Sequence, residues 1–198
     1  MIAGKAAPLA AALLLSLAVV AAQEPSTMKK KEPLTSPPPA PEMQKLSRRL
    51  VGTWEVTEKH EPSQWSAGGE GRGRDTYRLG PGGHSLIGDY RSSGPLGRNF
   101  RAQGIVTWDT GEKVYKMFWV NSLLPGGLLA RGRWQGSDLV WESEYSAGDK
   151  KIQEKVVVTD ITPTSSTDRY HQSVDGGEMK LLMTLRRKKV TPARKPGR

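Results

Sequence analysis

The histidines, which are the residues most often used to bind metals, are few and scattered in this sequence. His60, His84 and His171 lie far apart, and none belongs to an H-x-H or H-E-x-x-H pattern. Zinc sites typically combine ligands at such fixed spacings. The chain also has no cysteine, which excludes thiolate ligands, disulfides and a cysteine nucleophile. The sequence therefore predicts no metal site.

Acidic side chains that share a strand offer a second kind of chemistry, general acid–base catalysis. Glu142 and Glu144 are two residues apart on one face of a predicted strand, and Asp89 and Glu154 are further carboxylates. Such a pair works only where one member is desolvated, whereas polar neighbours indicate a solvent-facing side. No serine lies in a G-x-S-x-G elbow, and the segment 71–74 lacks the Lys-Ser/Thr pair of a phosphate loop. No catalytic residue is predicted.

The first 22 residues are typical of a cleaved export signal. Lys5 supplies a positive start, residues 9–20 are apolar, and small residues precede a cleavage point after Ala22. A membrane anchor is the alternative, but the apolar run is short for a span of about 20 residues. A periplasmic or secreted protein is therefore predicted.

The formal net charge of +10 is concentrated in the tails. Residues 23–40 are predicted to be a disordered Pro/Lys-rich linker, and residues 189–198 a disordered basic tail. Because residues 186–198 hold seven bases and no acid, the body from 50 to 185 is left close to neutral. The tails lack interleaved aromatic side chains for stacking on bases, so no specific nucleic-acid partner is predicted. An anionic envelope surface is their candidate partner.

The folded part is predicted to span residues 41–188 and to begin with a short helix over 41–50. Met43, Leu46 and Leu50 share one side of this helix, and Pro41 suits its first turn. This amphipathic helix is expected to act as a lid, although a membrane-surface helix is the alternative.

Ten segments with strand character follow, separated by turns rich in Gly and Asp. No helical pattern of ten to fifteen residues lies between them, which argues against parallel crossovers. An all-β, up-and-down antiparallel barrel of about ten strands is predicted. The strands are expected near 50–59, 72–79, 84–92, 100–108, 113–121, 128–135, 138–146, 150–161, 165–174 and 178–188.

Tryptophan is unusually frequent, with six in the chain against two phenylalanines. Trp54 is expected to plug one end of the barrel, and Trp65 lies in the first long loop. The tryptophans either fill the core or line a ligand cavity. Alternation along the strands assigns the inward, ligand-facing candidates by parity, and they are Met117, Trp119, Trp141, Tyr145 and Met183.

From about Met43 to Lys188 the sequence resembles the bacterial domain of unknown function 1579, a family of lipocalin-like barrels that are often exported. Each carrier motif is short, but together they occur in order over the whole body. They are Leu50–Glu55, Gly104–Asp109 with Tyr115, Trp119–Ser122, Gly132–Trp134 with Leu139, Asp175-Gly176, and Met183–Lys188.

The resemblance extends to the wider calycin superfamily, in which a Gly-x-Trp motif is followed by an arginine in the last strand. It implies that Gly52, Trp54 and Arg187 close the barrel, with Arg187 lying across the indole of Trp54. Related ten-stranded barrels, the nitrobindins, hold haem through a histidine near the end of the chain. The closing strand here has none, and His171 is expected to be an exposed strand residue, so no haem or other cofactor is expected.

By fold-level analogy the resemblance implies a small apolar or amphipathic ligand. The sequence-based hypothesis is an exported, non-catalytic binding protein with a ligand inside the barrel. Two alternatives stay open, namely a filled barrel that serves as a structural or envelope-interaction module, and a barrel enzyme that uses a cavity carboxylate or histidine.

Overall fold

The structure is a computed structural model that describes residues 36–95 and 97–191, with the backbone alone at 97 and 98. The predicted signal peptide, residues 1–22, lies outside the described residues. So do most of the predicted linker and most of the predicted tail. Within the described part of the chain, no helix is long and apolar enough to cross a membrane.

One helix and ten strands follow each other along the chain, which confirms the predicted all-β class. The helix α1 spans Pro41–Leu50. The strands are β1 (Gly52–His60), β2 (Gly69–Leu79), β3 (Ser85–Gly94), β4 (Gly97–Asp109), β5 (Val114–Asn121), β6 (Leu128–Gln135), β7 (Asp138–Ala147), β8 (Lys150–Thr159), β9 (Ser165–Val174) and β10 (Lys180–Lys189). A 3₁₀ turn over Pro81–Gly83 connects β2 to β3.

The strands form a closed antiparallel barrel in which each pairs with its neighbours in sequence. The circle closes between β1 and β10, where Trp54 lies opposite Lys189 and His60 lies opposite Met183. Closure satisfies the backbone groups that a flat sheet of this size would leave at its two edges. The predicted up-and-down meander is confirmed.

The helix α1 covers the end of the barrel at which β1 begins. Met43 and Leu46 are each only 1% exposed. A hydrogen bond of 3.0 Å from the Tyr115 hydroxyl to the Glu42 carbonyl also holds α1 in place. We call the covered part the helix half, and its core comprises Leu86, Val106, Tyr115, Leu139, Trp141 and Val158.

Glycines on the inner wall make room for aromatic rings on the neighbouring strand. Gly132 lies opposite Trp141, and Gly104 lies opposite Trp119. A Cβ atom at either glycine would lie 2.6 Å from the six-membered ring of the facing indole. The two indoles therefore lie against the backbone of the next strand, as aromatic side chains do when they cover a strand glycine.

The closing contact differs from the predicted one. The pairing of β1 with β10 puts Arg187 opposite Val56, one inward position further from the barrel end than Trp54. Lys189 instead reaches Trp54, with its Nζ 5.1 Å from the centre of the ring. Gly52 leaves space for this lysine, because a Cβ there would lie 2.6 Å from Lys189 Cε. The prediction that Arg187 stacks on Trp54 is wrong, and its role passes to Lys189.

The last strand also breaks the predicted alternation. The register of β10 against β9 shifts between Leu181 and Met183. Because the shift inserts one residue, the positions before it change face. Met179 and Leu181, which precede the shift, are 42% and 36% exposed.

Candidate functional site

The interior of the barrel away from α1 is rich in polar side chains, in contrast to the helix half. Acids, a histidine, tyrosines and an amide face inward there beside a few apolar residues. We call this region the polar chamber, and define it by Glu58, His60, Tyr90, Trp119, Tyr145, Glu154, Gln172 and Met183.

The strand β1 carries the first pair of chamber residues. Glu58 and His60 are 3% and 5% exposed, and His60 Nε2 lies 2.7 Å from Glu58 Oε2. The Tyr90 hydroxyl donates a hydrogen bond to the other carboxylate oxygen. Burial raises the pKa of Glu58, but the hydrogen bonds from His60 and other neighbours outweigh burial and hold the pKa below its usual range. Glu58 therefore stays ionised inside the barrel at neutral pH.

Two glycines shape the position of this carboxylate. A Cβ atom at Gly71 or at Gly94 would lie 2.8 Å from Glu58 Oε2. The side chain of Glu58 therefore lies directly against the backbone of two neighbouring strands, where larger residues would displace it.

A second hydrogen-bonded group links the chamber to the β1–β2 connection. Trp65, in that connection, donates its Nε1–H to Gln172 Oε1 at 2.8 Å. The Gln172 amide nitrogen in turn donates to the Tyr145 hydroxyl at 3.2 Å. The loop that carries Trp65 is thus tied to the interior through a buried amide.

Glu154 lies on the inward face of β8, opposite Ser143 on β7 and Gln172 on β9. Burial raises its pKa to about 7, and the nearby Tyr145 hydroxyl offsets only part of this increase. No described Lys, Arg or His lies within ion-pair distance of this carboxylate. Glu154 is thus a carboxyl group that exchanges its proton near neutral pH.

An ion-pair group lies at mid-height, between the helix half and the polar chamber. Arg187 Nε donates to Asp75 Oδ2 at 3.0 Å, and Arg187 Nη1 donates to Asp168 Oδ2. All three side chains are at least nine-tenths buried. Burial raises the pKa of Asp75, although Arg187 counteracts part of the rise. The remaining oxygens, Asp75 Oδ1 and Asp168 Oδ1, are buried without a hydrogen-bond partner among the described residues.

Several inward side chains further from α1 are less completely buried than the core of the helix half. Leu86 and Tyr115 of the helix half are 0% and 1% exposed. Several side chains that face the axis further down keep intermediate exposure. In a closed barrel, an inward side chain is exposed only to space in the interior or at its mouth. These partly exposed inward residues are Met117, Trp119, Ser143, Tyr145, Glu154, Tyr170 and Met183.

The structure separates the residues that parity had assigned to ligand binding. Trp141 is buried in the core of the helix half, and Met117 packs against that core. Trp119 contacts both the helix-half core and the second apolar cluster, and Met183 packs against the second. Tyr145 bonds to Gln172 in the polar chamber. Trp119, Tyr145 and Met183 are all partly exposed inward residues, and their role in binding stays a prediction.

The sequence reasoning missed the inward polar residues, although alternation could have found them. Glu58 and His60 share the parity of Trp54 on β1, which was placed inside. On β9 only His171 was considered from the sequence, whereas Asp168 and Gln172, on the opposite face, are buried side chains. Strand alternation therefore predicts that Glu58 and His60 face inward. The histidines had been compared only with the spacing of metal ligands.

The chemistry that the interior offers is proton exchange and hydrogen bonding. Within the described residues, no three His, Asp or Glu side chains are arranged to hold a metal ion. Two grooves on the outside, of about 650 and 450 Å³, adjoin α1 near Lys45 and Trp134. They contain none of the buried polar groups described above, so the interior is the better candidate site.

A closed ten-stranded meander with a helix over one end and polar groups in the interior defines a lipocalin-like barrel. Residues 39–189 match the family model described as a protein of unknown function, DUF1579. The chain belongs to this family, as the resemblance predicted.

No curated protein matches the chain. Among solved structures, Rv2717c from M. tuberculosis is similar with a TM-score of 0.54 and 11% identity, covering 77% of this chain and 99% of that one. The S-type phycobiliprotein lyase CPES from Guillardia theta is similar with a TM-score of 0.51 and 11% identity, covering 75% and 92%. At such identities these similarities show the fold alone.

Proposed function

We propose that this protein binds a small amphipathic molecule in the polar chamber and does not transform it. The observation that carries the proposal is the partial exposure of inward side chains such as Trp119, Tyr145 and Met183. A filled, purely structural barrel would bury these side chains as completely as Leu86 and Tyr115 are buried in the helix half.

The lining of the chamber supports an amphipathic ligand rather than a purely apolar one. Val56, Phe100, Ala102 and Leu185 form an apolar cluster beside Glu58 and its hydrogen-bond partners. Apolar surface contributes about 25 cal/mol for each Å² buried, and a few polar groups fix orientation.

The proposal includes export to the periplasm or the medium, with cleavage after Ala22. The sequence of residues 1–22 supports this location. The basic tail would then meet an anionic envelope surface and hold the barrel near the source or destination of its ligand.

Native mass spectrometry of the mature protein, purified from its own envelope fraction, tests the proposal. We expect a reproducible mass excess that disappears on denaturation. The N-terminal mass of the same sample tests cleavage after Ala22. A bare polypeptide mass, together with no binding of any added amphiphile, would favour the structural alternative.

One observation favours a second candidate function, an enzyme that transfers protons. Glu154 has a pKa of about 7, which suits a general acid or base at neutral pH. A Glu154→Gln protein that retains a ligand of different mass from the wild-type ligand would indicate turnover. Identical ligands in the two proteins would favour binding alone.

A further inference from the structure

The inner wall carries more acids than bases. Four inward carboxylates, those of Glu58, Asp75, Glu154 and Asp168, lie at mid-height or in the polar chamber. Among the described side chains of this region, Arg187 is the only inward guanidinium or ammonium group. This balance is the reverse of what an anionic ligand requires.

Arg187 is also already engaged. Its Nε and Nη1 atoms bond to Asp75 and Asp168, so its positive charge is neutralised within the wall. A carboxylate or phosphate ligand needs a free donor-rich cation, typically arginine, to replace its hydration. An anionic group in this interior would instead meet ionised Glu58 without such a partner, at a high cost in a medium of low dielectric constant.

Carboxylate oxygens of the inner wall that accept no hydrogen bond from the described residues would be complemented by a ligand that donates hydrogen bonds. Asp75 Oδ1 and Asp168 Oδ1 are buried and have no hydrogen-bond partner among the described side chains, and the two residues are 1% and 3% exposed. Glu154 faces the chamber, and no described cation lies within ion-pair distance of it. A protonated amine carries three donors, no acceptor and one positive charge, so it complements these groups.

Aromatic side chains near the same space would add to the attraction. Tyr90 and Phe100 pack edge to face, with ring centres 6.0 Å apart, and Trp119 contacts the same cluster. Cations bind favourably over the faces of tryptophan and tyrosine rings.

We propose that the ligand class of the polar chamber is a cationic amphiphile, an apolar chain or ring system bearing an ammonium-type group, with Glu154 as its counter-ion. This inference rests on the proposed function of ligand binding. It excludes fatty acids and other anionic lipids as preferred ligands.

Three molecules with the same ten-carbon chain test the proposal: decylammonium, decanamide and decanoate. Their binding to the purified protein is measured at pH 8, by calorimetry and tryptophan fluorescence, below the concentrations at which they form micelles. We expect decylammonium to bind at least roughly tenfold more tightly than decanoate, with decanamide between them.

Two variants locate the counter-ion. Glu154→Gln should weaken decylammonium binding about tenfold and leave decanamide binding unchanged, because only the charge pair is removed. Glu142→Gln is the matched control, since Glu142 is an exposed glutamate on the outer face of the neighbouring strand. It should change neither affinity.

The outcomes separate this inference from the function on which it rests. Equal binding of the three molecules, or tightest binding of decanoate, would overturn the cationic class while leaving ligand binding intact. A preference for decylammonium that survives in Glu154→Gln would overturn Glu154 as counter-ion. Binding of none of the three, with no copurified ligand, would refute both proposals.

Discussion

The same strands form both halves of this barrel, but different interactions stabilise the two halves. In the helix half, apolar side chains interlock beneath α1, and Met43 and Leu46 are almost completely buried. In the polar chamber, Glu58 and His60 are equally buried but depend on specific partners. A packed apolar core stabilises the fold with little dependence on pH, whereas buried polar groups make stability depend on their charge state.

The strand β1 shows this division within nine residues. Its inward positions run from Trp54 and Val56 to Glu58 and His60. The first two pack in apolar surroundings, and the last two make a buried hydrogen bond. Glu58 and His60 contribute little apolar burial, and this departure from an apolar core is consistent with the proposed binding function.

The largest effect is expected where the two halves meet. Arg187→Met should lower the free energy of unfolding by about 3–5 kcal/mol, because it leaves Asp75 and Asp168 buried without a counter-charge. Leu46→Ala in the lid should cost about 2–4 kcal/mol by leaving a cavity. Urea unfolding at pH 7 measures both. A loss below about 1 kcal/mol for Arg187→Met would show that the ion pairs are not required.

A triple variant distinguishes lost charge balance from lost packing. Combining Arg187→Met with Asp75→Asn and Asp168→Asn removes every charge of the group. It should recover much of the stability lost in the single variant, since no uncompensated charge remains. Failure to recover would assign the loss to packing.

The pH dependence of stability should come largely from the polar chamber. The pKa of Glu154 is about 7 in the folded protein, against 4.5 for an ordinary glutamate. Between these values the folded state holds more protons, so stability falls as pH rises from 4.5 to 7, by at most about 3 kcal/mol. Glu154→Gln should remove this decrease and be the more stable protein at pH 8. Urea unfolding at pH 5 and pH 8 measures it, with Glu142→Gln as the control that keeps the wild-type slope.

A smaller loss of stability is expected from substitutions in the two glycine–indole pairs. Gly132→Ala forces its new methyl group against Trp141 in the packed half, which should cost about 2–3 kcal/mol. Gly104→Ala makes the same contact with Trp119, but that ring is partly exposed, whereas Trp141 is buried. Its cost should be about 1 kcal/mol. Equal thermal shifts in the two variants would show that both halves are equally packed.

The smallest effect concerns the loop that reaches the chamber. Trp65→Phe keeps an aromatic ring but removes the hydrogen bond to Gln172, which should cost about 1 kcal/mol. Faster amide exchange across residues 61–68, with unchanged exchange in β4 and β5, would show that the bond anchors the loop. An equal increase in amide exchange across the whole barrel would show that the hydrogen bond does not anchor the loop.

The fold was predictable because several independent signals agree. Period-two alternation, Gly/Asp turns and the absence of intervening helices all indicate an antiparallel meander. The helix over 41–50 was visible from the spacing of Met43, Leu46 and Leu50. These are local signals, and a local signal survives small errors in strand bounds.

The site was less predictable because it depends on register across strands. Lys189 rather than Arg187 reaches Trp54 since the pairing of β1 with β10 sets which cation lies opposite the indole. The bulge near Leu181 is likewise invisible in the alternation of a single strand. The raised pKa of Glu154 needs knowledge of its surroundings on three strands, which no single stretch of sequence contains.

The closure between β1 and β10 has a consequence for how the chain reaches this structure. All other strand pairings join neighbours in sequence, so they form as local hairpins with little loss of chain entropy. The closing pair joins the two ends of the domain, so its formation has the largest loop-closure entropy cost of the ten pairings. Until then two strand edges are open to other chains. The exposed Arg186 and Lys188 place positive charges along one of these edges, and such charges discourage edge-to-edge association.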